Sequence, residues 1–106
     1  MRPIPCELDA VLHILNCDEE LKVKALPHVD MEKQSIDWYG IFRQHYGSGH
    51  QAAVLWAYSL WADKPPSVNP FEAAIAMDGG LRRAVIQALA IRWCVPIDSI
   101  RGLRLV

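Results

Sequence analysis

Ser48 stands three residues before Gln51, and directly behind that pair runs Ala52 to Ala62, eleven residues broken only by Ser59. The Ser-x-x-Gln spacing is that of a capping box, in which the two side chains satisfy free amides at a helix start. It predicts a helix over about 49–62 that is apolar nearly all round. A surface helix needs a polar face, and a membrane-spanning one needs about 20 apolar residues. This segment meets neither condition, so it belongs at the centre of a helical protein whose other elements cover it.

Those elements are legible around it. Leu8, Val11, Leu12 and Leu15 recur at helical spacing and predict a first helix from about Pro5 to Asn16. Asp18 caps a second through Leu26, stopped by Pro27, and 27–30 reads as a turn. Ile36, Tyr39, Phe42 and Tyr46 predict a third helix ending at Gly47, with Gly40 inside it as a point of close packing or weakness. Asp63 to Val68 is a breaker loop. Asn69-Pro70 starts a fifth helix through about Met77, and Asp78-Gly79-Gly80 ends it. A sixth runs from about Gly80 to Cys94, with Leu81, Val85, Leu89 and Trp93 on one stripe and Arg83 with Gln87 opposite. No β alternation appears apart from a short extended tail at 103–106. The expected fold class is all-α: a compact bundle of five to six helices in one domain, 1–106.

The first residues lack the apolar stretch and cleavage site of a secretory signal, so the expectation is a soluble, cytoplasmic protein. Cys6, Cys17 and Cys94 are odd in number, far apart and without a Cys-x-x-Cys pair. They read as reduced, mostly core thiols, with neither a disulfide framework nor a zinc ribbon.

A net charge of −1 conceals an asymmetry. Residues 1–40 carry four cations against eight anions, whereas residues 41–106 carry seven against four. From Gly79 onward Arg82, Arg83, Arg92, Arg101 and Arg104 face a single acid, Asp98. A guanidinium-rich end suits phosphate or carboxylate partners. The same arginines also read as a solvated face paired with the acidic half.

The C-terminal fifth admits a more specific reading. Leu89, Ala90, Cys94, Val95, Ile100 and Leu103 occupy the spacings of a helix-turn-helix, with Cys94 where glycine is usual. Its reading face would be Ile97, Asp98, Arg101 and Arg104. Gly102 inside the second helix and Asp98 in its first turn count against it. The alternative is a terminal turn after Pro96 that folds Ile97, Ile100 and Leu103 onto the core.

Other constellations are weaker. Trp38, Trp56, Trp61 and Trp93 could stack single-stranded bases, but three of the four sit on helical stripes where core packing accounts for them, and Trp38 is the one left over. His45 and His50 flank the glycine turn at 47–49 without a carboxylate at ligand spacing, so no metal is expected. No catalytic residue, cofactor or small-molecule substrate is indicated, and the chain does not read as an enzyme. Asp18, Glu19 and Glu20 read as helix-start acid.

As a short helical chain with polarised charge and no active-site motif, the sequence resembles the small anti-CRISPR proteins of phages and mobile elements, inhibitors of type I systems, with type I-E the narrower reading. The resemblance spans all 106 residues as overall character, and no shared motif carries residues across. It implies a monomeric, stoichiometric binder that blocks a CRISPR effector complex, its nuclease recruitment or its DNA path. The candidate contact residues are Arg82, Arg83, Gln87, Arg92, Arg101 and Arg104. In a variant of this reading Asp18, Glu19, Glu20, Asp30 and Glu32 imitate DNA phosphates. The alternative is a dimeric helix-turn-helix transcription regulator of a phage or mobile element.

Overall fold

A computed structural model describes residues 4–96. Among these, six α-helices follow in order: α1 (Cys6–Leu15), α2 (Glu19–Lys24), α3 (Trp38–Phe42), α4 (Ser48–Ala62), α5 (Pro70–Ala76) and α6 (Gly79–Arg92). The fold is all-α, with one small addition. Val29–Asp30 (β1) and Ser35–Ile36 (β2) pair antiparallel, Val29 opposite Ile36 and Asp30 opposite Ser35. Two residues per strand are too few to show alternation, which is why periodicity missed them. A single 3₁₀ turn, Leu26–His28, leads into β1 and contains Pro27.

Most helix starts are those that local chemistry dictates. Asp18 accepts a hydrogen bond from the Leu21 amide at 2.9 Å, and Asn69 from the Phe71 amide at 2.8 Å. Asp78 was expected to end α5; instead it opens α6, its Oδ1 accepting from the Leu81 amide at 2.8 Å. The Ser48/Gln51 capping box does not form. Gly47 is the N-cap, and Ser48 is already the first helical residue, with no side-chain cap bond.

The third helix is shorter than its apolar spacing predicts. Ile36 is held in β2, and the Asp37 carboxylate caps the chain by accepting from the Gly40 amide at 3.1 Å. At the other end, Tyr46 Oη donates to the Ile41 carbonyl at 2.8 Å and Gln44 Nε2 to the Gly40 carbonyl at 3.2 Å. Side chains thus occupy the carbonyls that a further turn would have used. Gly40 is a point of close packing: a Cβ there would meet the Asp37 carboxylate at 2.5 Å and would press on the His28 ring.

The core lies where α1, α4 and α6 meet, with α5 against α4. α4 packs against α1, α3, α5 and α6, which makes it central as expected. Yet most of its buried positions are small, Gly49, Ala52, Ala53, Ala57 and Ser59, so it acts as the surface others approach closely. The largest fully buried side chains come mainly from α1: Leu8, Val11, Ile14 and Leu15. Removing a side chain of that size from water contributes about 1.5–3 kcal/mol. At the start of α4, Gly49 meets the turn between α5 and α6, where a Cβ would lie 2.6 Å from the Ala76 carbonyl oxygen.

Trp38 belongs to an aromatic cluster between α3 and α4. It stacks on Phe42 at 5.9 Å and meets Tyr58 edge-on at 5.1 Å. Trp56 and Trp61 pack against the core, but Trp93 does not follow its stripe. α6 ends at Arg92, and Trp93, the C-cap, is 66% exposed. No helix among the described residues is long and apolar enough to cross a membrane.

Candidate nucleic-acid interface on α6

α6 holds three arginines and no acid. It lies antiparallel to α1, as the contacts at its two ends show: Cys94, just past its end, meets Cys6, and Gly80 near its start lines a groove with Cys17. The 3.6-residue period then separates the arginines. Arg83 and Gln87, four residues apart, share the side that faces α1, Arg82 turns toward α5, and Arg92 reaches α4.

Arg83 and Gln87 line a groove of about 540 Å³ between α6 and α1, together with His13, Asn16 and Cys17. Gln87 is fixed there, its Oε1 accepting a hydrogen bond from His13 Nε2. Arg83 is exposed, and no described carboxylate lies within ion-pair distance of it. The groove contains one acid, Asp9.

Arg82 is also exposed, but its Nε donates to the Ala74 carbonyl at 2.5 Å and closes the last turn of α5. Arg92 is half-buried and holds the end of α4: its Nε donates to the Leu60 carbonyl at 2.9 Å, and its Nη2 lies 3.7 Å from Asp63 Oδ1. The six residues singled out from the sequence are therefore not gathered on one face. Arg83 and Gln87 share the groove side, Arg82 is held against α5 and Arg92 against α4, and Arg101 and Arg104 lie outside the described residues.

Of the helix-turn-helix spacing, Leu89, Ala90, Cys94 and Val95 lie within them, whereas Ile100 and Leu103 lie outside. Cys94 has φ 57°, in the left-handed region that favours glycine. Its amide donates to the Ile91 carbonyl at 3.2 Å, and the Val95 amide donates to that of Ala90 at 2.8 Å. These two bonds are the Schellman closure of a helix C-terminus. The proposed reading face, Ile97, Asp98, Arg101 and Arg104, lies outside the described residues.

Sequence spacing missed two clusters because their members come from different elements. His50, in the first turn of α4, has Nε2 2.5 Å from Asp18 Oδ2 and Nδ1 3.8 Å from Glu20 Oε2. Lys24 Nζ joins the group, 3.4 Å from Glu20 Oε2 and donating to the His45 carbonyl at 2.6 Å. Two members of the acidic run at 18–20 are thus paired to cations or histidine as well as serving a helix start. Elsewhere His28 Nδ1 lies 3.5 Å from Asp37 Oδ2. No group of three metal-ligating side chains occurs among the described residues.

The cysteines depart from the expectation of core thiols. Cys17 and Cys94 are exposed and Cys6 is half-buried. Packing around the Cys17 sulfur, and then the charges of Asp18 and Asp78, push its thiol up to about 11. The Cys6 thiol is also raised, first by its hydrogen bond with Cys94. Comparisons with protein-family models, with curated proteins and with solved structures give no match to this chain.

Proposed function

We propose that this protein acts by stoichiometric binding, as a monomeric anti-CRISPR inhibitor of a type I interference complex. Arg83 would make the central contact to nucleic acid, or to the path that nucleic acid takes through the effector. The observation that carries this reading is the state of Arg83: an exposed guanidinium lining a groove, on a helix without acids, with no ion-pair partner among the described residues. Such a group keeps its full capacity for bidentate bonds to phosphate. Arg82 adds a second positive charge beside it, and Gln87 a polar side chain oriented by His13.

The test is a fluorescence-anisotropy titration against matched single- and double-stranded DNA at low and moderate salt, paired with an interference assay on the effector complex. Binding that weakens with salt supports contact through arginines. Charge reversal at Arg83 and Arg101 is expected to abolish both binding and inhibition. Full inhibition by that double variant overturns the assignment. Absence of DNA binding with inhibition intact moves the contact to an effector protein surface.

A second reading, a helix-turn-helix regulator, is favoured by the left-handed turn at Cys94, the position where that motif normally has glycine. It requires a dimer on a palindromic duplex site, because paired half-sites mirror protein symmetry. A strict monomer under the same titration conditions excludes it.

A further inference from the structure

We propose that Cys6 and Cys94 are a thiol–disulfide exchange site, at which a small disulfide of the glutathione class converts the two thiols into a reversible intramolecular bond. The inference is independent of the binding function above. Its first support is proximity. The two sulfurs, 88 residues apart in sequence, lie 3.5 Å from each other. A disulfide needs about 2.05 Å, so side-chain rotation and a small local shift suffice.

The second support is where Cys94 stands. A left-handed residue past a helix end is the position glycine fills at least cost, since a Cβ there crowds the neighbouring carbonyl. This chain places a cysteine at that position, and the Schellman bonds to Ile91 and Ala90 hold it. An outlier of this kind argues for a role of the side chain itself. Cys6 is equally fixed, as the first residue of α1. α1 and α6 pack along their length, so the two sulfurs are presented by a rigid pair of helices.

The third support is access. Cys94 is exposed and Cys6 half-buried, which sets the order of events. The Cys94 thiolate attacks one sulfur of the small disulfide, forming a mixed disulfide and releasing one small thiolate, which takes up a proton. Cys6 then gives its proton to solvent, and its sulfur attacks Cys94 Sγ and expels the second small thiolate. Two protein thiols are oxidised, one small disulfide is reduced to two thiols, and no other reactant is needed. Cys17 serves as the internal control. It sits at the opposite end of the α1–α6 pair, where it lines the groove with Gly80 and Arg83.

The experiment treats the full chain with oxidised glutathione, blocks remaining thiols with N-ethylmaleimide, and maps peptides without reduction. The expected product has lost two hydrogens, retains no glutathione, carries the blocking group on Cys17 alone, and yields linked peptides containing Cys6 and Cys94. Dithiothreitol restores all three thiols. In Cys6→Ser the mixed disulfide on Cys94 is expected to persist, because nothing resolves it. Oxidation should raise the thermal midpoint of the wild-type chain and leave Cys94→Gly unchanged, since a link across 88 residues restricts the unfolded chain. A stable glutathione adduct on the wild-type chain, a bond that involves Cys17, a covalent dimer, or thiols that stay unreacted overturns the proposal. An oxidised form that melts below the reduced one overturns it too, because the native fold then does not accommodate the link.

Discussion

The Asp18 carboxylate serves two elements at once: its Oδ1 accepts from the Leu21 amide at 2.9 Å, while its Oδ2 lies 2.5 Å from His50 Nε2. One side chain thereby closes the start of α2 and ties it to the first turn of α4. Asp18→Ala removes both contacts, and losing the cap alone costs about 0.5–2 kcal/mol. His50→Ala keeps the cap and removes the tie, worth about 0.5–1.5 kcal/mol, together with the longer contact to Glu20. Urea unfolding should therefore rank Asp18→Ala as the more damaging change. The double variant should fall short of the sum, because the two residues share a bond. The reverse ranking would show that the cap is dispensable.

Gly49 offers a test of packing against propensity. Alanine is the better helix former by about 1 kcal/mol, yet its Cβ would lie 2.6 Å from the Ala76 carbonyl oxygen, a backbone atom that cannot swing aside. Gly49→Ala is expected to destabilise by about 1–3 kcal/mol. Gly79, where a Cβ would meet nothing within 4 Å, is the control. Gly79→Ala should be neutral or stabilising by about 0.4–1 kcal/mol. Thermal unfolding of the pair decides the matter.

The Cys17 thiol is expected to alkylate with a pH midpoint near 11, against an ordinary value of 9.0. Iodoacetamide labelling of Cys6→Ser/Cys94→Gly, read by peptide mass, isolates this group. The folded chain favours the neutral thiol, so the unfolded chain ionises first as pH rises. Its contribution to stability is present below pH 9.0 and is lost as pH climbs toward 11. A labelling midpoint at the ordinary thiol value would mean that the sulfur is freely hydrated.

Arg83 and Arg92 should separate binding from folding. Arg92 bonds the Leu60 carbonyl at the end of α4, so Arg92→Ala is expected to cost about 1 kcal/mol in denaturant unfolding. Arg83→Ala touches no such partner and should stay within about 0.5 kcal/mol of the parent chain. Under the proposed function, Arg83→Ala weakens DNA binding and reduces the salt slope by about 1. Equal loss of DNA affinity in both variants, at unchanged stability, would show that Arg92 is also available to nucleic acid.

Helix existence was legible wherever one segment carried its own signal. The apolar stripe of α1, the Asp18 and Asn69 caps and the apolar run of α4 all depend on residues a few positions apart, and all appear in the fold. Signals failed where two local options competed. Ser48 and Gln51 have the spacing of a capping box, yet the helix begins one residue earlier than that pairing allows. Ile36 fits a helical stripe but pairs with Val29 instead.

The candidate site divides in the same way. The sequence alone determines that positive charge accumulates toward the C-terminal end, that α6 carries no acid, and that Arg83 and Gln87 share a side, since helical period follows from backbone geometry. It does not determine which of the three α6 arginines is free. That is decided by α4 and α5, whose carbonyls take Arg92 and Arg82 and leave Arg83 beside α1. The cysteine pair and the Asp18–His50 tie likewise join residues 88 and 32 positions apart. Such contacts arise only from helix packing, because periodicity and capping extend a few residues along the chain while packing brings together residues of any separation.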